Sequence, residues 1–434
     1  MSFVCENIGV NAENHLTFAG QDTLRLAEEY GTPLYLMDED RIRRNCRLYL
    51  EAFRASFVPG SRPLYASKAA AFKQVYRVMA EEGMGVDVCS PGEIATAAAA
   101  GYDLAGACFH GNGKTDEDIR CALDRGVGCF VVDNAEELLA LEAEAGRRGL
   151  RQKALLRLTP GIDPHTYAAV ATGQVDSKFG VAIETGQAEA FVRLALEQKH
   201  VELRGYHCHV GSQVFGEDVF ERAAAVMLAF VAEMKEKTGY LAAELSLGGG
   251  YGVPYVASDP TVDIPAKIAS VAKTVKETCA RLNIPEPAIH MEPGRSIVAD
   301  AGMTLYRVVA VKRITGYKNY VTIDGGMGDD PRYALYGSRY TCLAAGRMGE
   351  PSELRCTLAG RCCESGDLIQ EDILLPETVG RGDVIAVCTT GAYNYSMASN
   401  YNRYGRPALV MLREGKSCVA VRRESLEDLL RLDL

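Results

Sequence analysis

Eight short apolar runs, each closed by a chemically useful residue, constrain this chain more than any other feature. They end around Tyr65-Ala66-Ser67-Lys68, Val86-Asp87-Val88-Cys89-Ser90, Cys108-Phe109-His110-Gly111 and Val131-Val132-Asp133-Asn134. The series continues at Leu155-Leu156-Arg157-Leu158, Tyr206-His207-Cys208-His209-Val210, Leu245-Ser246-Leu247-Gly248 and Ile289-His290-Met291-Glu292. Between them lie stretches such as EIATAAAAGY and AEELLALEAEAGRRG, with apolar residues at helical spacing. Alternation of this kind predicts parallel strands joined by crossover helices. Eight such units predict a closed (β/α)8 barrel of the TIM type. The markers Lys68, Asp87, His110, Asp133 and Arg157 follow one another at 19 to 24 residues. The gap from Arg157 to His209 is about twice as long. It holds HTYAAVATGQVDSKFG, which reads as an insertion at the active face, since long loops in compact barrels are usually functional.

After residue 300 the texture changes. TLYRVVAVKRI, YVTIDGG, GDVIAVCTTGAY, RPALVML and SCVAVRRE are short, β-rich and bounded by Gly, Pro or Asp. They predict a second, mainly antiparallel domain. The expected division is a barrel over 33–300 and a β-sandwich or barrel built from 1–32 plus 301–434, with the first segment adding a strand. A chain of 434 residues has room for both.

Composition narrows the partners. Hydrophobic content of 47% and charged content of 24% are those of a soluble globular protein. The net charge of −10 argues against nucleic acid or an anionic membrane. No secretory signal or run of about 18 apolar residues is present. The 14 scattered cysteines, without a CxxC pair, read as small buried hydrophobes in a reducing cytoplasm.

In a barrel of this type, chemistry sits at the C-terminal strand ends, and phosphate often sits above strands seven and eight. Here strand seven runs into Gly248-Gly249-Gly250 and strand eight into Glu292-Pro293-Gly294-Arg295. Glycines let backbone N–H groups approach a phosphate closely. Lys68 ends strand one among small residues, with room for a bulky group on its amine. A phosphate site facing a lysine suggests pyridoxal 5'-phosphate held as a Schiff base. Glu292 is placed to pair with the pyridine nitrogen. His207 and His209, two apart on a strand, share a face, and the outer one is placed to stack on the ring. The His-x-His pair also suits a metal hydrolase, but the expected further ligands are missing, and metal is set aside.

The chain also resembles a known family. YASKA, GVDVCSPGE, HGNGK, TGQVDSKFG, HCHVGSQV, LGGGYG, MEPGRSIVADAG, IDGGM, CESGD and GAYNYSMASNYN, in this order, are similar to motifs of the fold-type III pyridoxal-phosphate decarboxylases, which share the alanine-racemase-like fold. Within that family the likeness is to the diaminopimelate decarboxylases, and it covers nearly the whole length. The resemblance implies that Lys68 carries the cofactor and that His209 stacks on it, with Ser212 beside the phosphate. It gives Gly249, Gly250, Glu292, Gly294 and Arg295 phosphate and pyridine contacts, and Asp87 and His110 polar positions around the cofactor. Cys363 matches the proton donor, Glu364 a substrate contact, and Tyr393 a residue touching phosphate and substrate. Cys363 and Glu364 would reach the pocket of a partner subunit, which implies a homodimer with shared active sites.

A diaminopimelate substrate carries a zwitterion at its distal end. Arg295 and Arg332 suit its carboxylate in a fork geometry, Tyr336 adds a hydroxyl, and Glu364 suits the ammonium. Arg332-Tyr333-Ala334-Leu335-Tyr336 resembles the family's Arg-Pro-Ala-Leu-Tyr, with Tyr333 in place of proline. The implied reaction is decarboxylation of meso-2,6-diaminopimelate to L-lysine. The alternative is a decarboxylase for D-lysine, D-ornithine, arginine, ornithine or carboxynorspermidine.

Overall fold

A computed structural model describes residues 3–162, 176–216 and 218–434. Most of the HTYAAVATGQVDSKFG stretch, expected as an insertion, lies outside the described residues. The chain divides into two units. One comprises Asn45–Gly252 with Thr261–Ser296, the other Met1–Arg44 with Val253–Pro260 and Ile297–Leu434.

The first unit is the closed barrel. Its strands are Arg62–Ala66, Gly85–Val88, Ala107–Phe109 and Cys129–Val132, then Gln152–Thr159, Val201–His207, Glu244–Ser246 and Ala288–Met291. Each pairs in parallel with the next. The last returns to the first through His290↔Arg62 and Met291↔Pro63. Leu64, Cys108, Cys129, Val131 and Leu155 fill part of the interior. Each large side chain buried there contributes about 1.5–3 kcal/mol.

Capping side chains turn strand into helix just beyond the chemically useful positions. Ser90 Oγ accepts the Glu93 N–H, with Pro91 in the first turn. Thr115 and Asp118 form a capping box. Asn134 caps Ala135–Arg147 through the Glu137 N–H. The strand ends are therefore held by local sequence as well as by barrel pairing.

The second unit is built around the long strand Gly302–Arg313. It pairs antiparallel with Leu34–Asp38, Asn319–Ile323 and Val384–Cys388. Leu34–Asp38 also pairs in parallel with Ala408–Arg413, which pairs antiparallel with Lys416–Val421. On the other side, Asn319–Ile323 leads to Ser352–Ala359 and then Leu368–Pro376. Leu34, Leu36, Met303, Leu305, Ala386, Val410 and Leu412 pack a single core.

Two expectations change here. Leu34–Asp38 was placed in the barrel by the 33–300 division, but both its edges are paired inside the second unit. A strand buried on both faces reads alike in either setting, because no alternation marks which face meets the core. The first 32 residues form their own small sheet, Ile8–Val10, Leu16–Phe18 and Gln21–Asp22, followed by helix Thr23–Tyr30. All 14 cysteines are free thiols. Among the described residues no helix is long and apolar enough to cross a membrane.

Candidate active site

The C-terminal end of the barrel gathers a buried, charged cluster around Glu292. This carboxylate follows strand eight and is 7% exposed. Its Oε1 accepts the Ser246 hydroxyl at 2.7 Å, and its Oε2 meets His207 Nε2 at 3.0 Å. His110 Nε2 lies 3.5 Å from Glu292 Oε1 and 3.7 Å from Asp87 Oδ1. The His110 and His207 rings meet edge to face with centroids 5.0 Å apart. Strands two, three, six, seven and eight thus each contribute one side chain.

Burial sets the charges. It pushes both His110 and His207 below the ordinary imidazole range. Burial would also raise Glu292, but the neighbouring His207 and His110 and the hydrogen bonds from His207 and Ser246 outweigh it, and the carboxyl is held well below its usual range. Asp87 goes the other way. Burial, then the charge of Glu292, push it up to about 8, with Lys68 opposing. Near neutral pH, Glu292 carries the negative charge of this pair and Asp87 the proton.

Above the cluster lies a rim of backbone with no room for side chains. A Cβ on Gly249 would stand 1.9 Å from the Glu292 carbonyl oxygen. Gly250 has φ +132°, and a Cβ there would stand 2.1 Å from the Gly211 carbonyl oxygen. A Cβ on Gly294 would meet Ala66 at 3.0 Å. The Gly249 N–H donates to His209 Nδ1 at 3.2 Å, so the neutral ring carries its proton on Nε2. Arg295 donates to Ser212 Oγ from Nη2 at 3.0 Å and from Nε at 3.3 Å. Lys68 sits in the single turn Ser67–Ala69 just past strand one, exposed between buried Ser67 and Ala69. Its charge acts on Asp87, His110, His207 and His209, which places it at the same mouth.

The remaining expected residues belong to the second unit. Arg332 opens the short helix Arg332–Tyr336 and is 5% exposed. It donates to Tyr340 Oη at 3.0 Å and Ser338 Oγ at 3.2 Å, and its guanidinium lies over the Tyr255 ring at 5.0 Å. Tyr336 is half-buried. Cys363 and Glu364 are exposed, whereas Cys362 is half-buried and its thiol is pushed up to about 11 by burial and Asp367. Tyr393 holds a left-handed φ of +61°, a strained conformation for a non-glycine residue and one that gathers at functional sites.

Residues 39–299 match the pyridoxal-binding domain of the pyridoxal-dependent decarboxylases. The chain belongs to this family. It is 42% identical over 424 residues to a diaminopimelate decarboxylase of Bacillus subtilis, covering 98% of this chain and 96% of that one. A diaminopimelate decarboxylase of Staphylococcus aureus is 40% identical, over 97% of this chain and 98% of its own. Among solved structures, diaminopimelate decarboxylase from M. jannaschii in complex with L-lysine superposes with a TM-score of 0.90 at 32% identity, covering 100% of this chain and 99% of that one. A lysine/ornithine decarboxylase from Vibrio vulnificus, complexed with putrescine, reaches 0.76 at 26% identity, over 94% and 100% of the two chains.

The cluster fits the family's cofactor. A buried anion at Glu292, a His110 Nε2 with no hydrogen bond, and a rim that a single Cβ would fill are what a flat, protonated, phosphate-bearing ring requires. The sixth strand stops at His207, just short of His209. His207 meets Glu292, the Gly249 N–H donates to His209, and His110, His207 and Glu292 bring ligand atoms within 4.8 Å of one another. Ser246 and Arg157 were given no role from sequence. Ser246 lies two residues before Gly248, which strand periodicity marks as the same face. Arg157 lies two residues before the end of strand five, 4.0 Å from Asp133 Oδ1, and stacks on Phe179 at 4.3 Å.

Proposed function

We propose that this protein decarboxylates meso-2,6-diaminopimelate to L-lysine and carbon dioxide, the last step of lysine biosynthesis, with pyridoxal 5'-phosphate as cofactor. The ionised Glu292 beneath a glycine rim carries this reading, and full-length likeness to diaminopimelate decarboxylases at about 40% identity supports the substrate. Lys68 holds the cofactor covalently, and Ser212, Gly249, Gly250, Gly294, Arg295 and Tyr393 hold its phosphate. His209 covers the ring, Asp87 and His110 line it, and Glu292 keeps its nitrogen protonated. When bound, the cofactor supplies an electron sink for the pair left on the α-carbon as carbon dioxide departs.

The protein's own groups do the rest. Arg295 and Arg332 bind the distal carboxylate with Tyr336. The Arg332 guanidinium donates to two neutral hydroxyls and feels the charge of the buried Asp330, and its fork geometry suits a carboxylate. Glu364 binds the distal ammonium. Cys363 delivers a proton to the α-carbon, and the Lys68 amine releases the product. The working unit is a homodimer in which Cys363 and Glu364 serve the partner's pocket. Free thiols throughout suit the cytoplasm.

The test is direct. Purified protein with pyridoxal phosphate should release carbon dioxide and L-lysine from meso-diaminopimelate. Release from D-lysine, D-ornithine, arginine, ornithine or carboxynorspermidine, with none from meso-diaminopimelate, would overturn the substrate.

A further inference from the structure

The turn that presents Cys363 and Glu364 is closed by Asp367, a residue only 2% exposed. Its Oδ2 accepts the Cys362 N–H at 2.6 Å, and its Oδ1 accepts the Met327 N–H at 2.5 Å. Its own N–H donates to the Glu364 carbonyl at 3.1 Å, and its carbonyl accepts the Gly360 N–H at 2.9 Å. One residue thus ties both ends of the turn to each other and to the segment at Met327. The carboxylate bonds are short and charge-assisted, about twice as strong as neutral ones.

The surroundings are shaped for that carboxylate. A Cβ on Gly326 would stand 2.5 Å from Asp367 Oδ1, and one on Gly360 would stand 2.2 Å from Oδ2. Neither position has space for any side chain while Asp367 stays in place. Across the turn, Asn402 Oδ1 accepts the Cys363 N–H at 2.7 Å. Asn402 holds φ +53°, a conformation asparagine tolerates better than most residues. The Cys363 side chain is exposed, so its direction follows from the backbone anchors, the Cys362 N–H on Asp367 and the Cys363 N–H on Asn402.

We propose that Asp367 is a positioning residue for the Cys363 proton donor, with Asn402 as its second anchor. The inference rests on the reading of Cys363 given above. In the step it governs, the Cys363 S–H bond breaks and a C–H bond forms with the electron pair on the α-carbon. The sulfur keeps its electrons as thiolate and is reprotonated by solvent. A fixed turn delivers that proton to one face of the carbon only.

The experiment is turnover of meso-diaminopimelate by the holoenzyme in D2O, with the configuration of the monodeuterated product carbon read by NMR. The native protein should give a single configuration. Asp367→Asn places an amide donor against one of the two N–H groups, and the turn should shift. We expect kcat to fall about 10- to 100-fold, KM to move far less, and the product to become a mixture of configurations. A loss of folded protein alone would lower the rate and leave the configuration single, which would overturn the inference. If Asp367→Asn does not fold, Asn402→Ala, at an exposed position, decides: a mixture supports the assignment and a single configuration ends it. Cys363→Ala separates the two readings. If that variant keeps native rate and configuration, the proton-donor reading fails and the positioning role falls with it.

Discussion

The barrel holds two carboxylates that are alike in partners and opposite in place. Glu292 lies at the C-terminal end of strand eight, and Glu244 begins strand seven at the other end. Each faces a histidine: His207 at 3.0 Å for Glu292, His290 at 3.4 Å for Glu244. Both are held below the ordinary carboxylate range. Glu292, however, is buried with a second histidine, a hydroxyl and another carboxyl, and no arginine or lysine forms an ion pair with it among the described residues. Glu244 is met by the Arg204 guanidinium at 2.9 Å and reaches solvent. Glu292 is a charge stored without a full counter-ion, whereas Glu244 is a charge already neutralised. The first arrangement suits a bound cation, and the second suits stability.

Removing the amine at the same barrel mouth should have the largest effect. Lys68→Ala is expected to lower turnover on the order of 10⁴-fold or more and to abolish the visible absorption band of the bound cofactor. The melting temperature should barely move, because Lys68 is exposed. Retention of the band in this variant would show that Lys68 is not the attachment point.

Glu292→Gln comes next. It keeps the shape and removes the charge, so kcat should fall about 10²- to 10³-fold, the range for losing one preorganised electrostatic contact. Stability should fall as well, since a carboxyl held below its usual range stabilises the fold at neutral pH. A variant that unfolds while retaining specific activity would contradict the contrast drawn above.

Asp87 sharpens the same contrast from inside the cluster. With its carboxyl pushed up to about 8, it is mainly protonated at neutral pH, and Asp87→Asn replaces one neutral group by another. Turnover should fall less than about tenfold, far short of Glu292→Gln. The wild-type profile should change as Asp87 ionises above pH 8, and the Asn variant should lack that limb. Equal losses from the two variants would show that the pair does not divide its charge as described.

What the sequence disclosed follows from which interactions are local. The eight barrel strands were legible because each is a buried run ended by a polar residue, and several lead into a capped helix, as at Val88-Cys89-Ser90 with Ser90 as cap. Lys68, Glu292 and the glycine turns stood out because their strand ends are fixed by barrel order. Leu34–Asp38 was misplaced because pairing partners at Gly302–Arg313 and Ala408–Arg413 are remote in sequence. The roles of His207 and Ser246 were hidden for the same reason: their shared acceptor, Glu292, lies 85 and 46 residues away. That Asp87 keeps its proton and Glu292 does not is a property of the assembled cluster, and no motif carries it.

The smallest effect belongs to the base of the barrel. Glu244 is held at about 2 against an ordinary 4.5, first by the His290 hydrogen bond and then, against the cost of burial, by Arg204. A depressed carboxyl contributes its stability above the unfolded value and loses it as the pH falls through the folded one. The contribution of Glu244 is therefore complete above about pH 4.5 and fades toward pH 2. Because Glu244 is 23% and Arg204 33% exposed, solvent screening reduces its worth to about 1 kcal/mol. Glu244→Gln should lower stability by about that amount at pH 7, measured by denaturant unfolding, with kcat and KM unchanged. The gap from wild type should close as the pH is lowered from about 4.5 toward 2. A gap that persists across this range would assign the loss to packing of the side chain. A loss of turnover at pH 7 would mean that the two ends of the barrel are not separate in function.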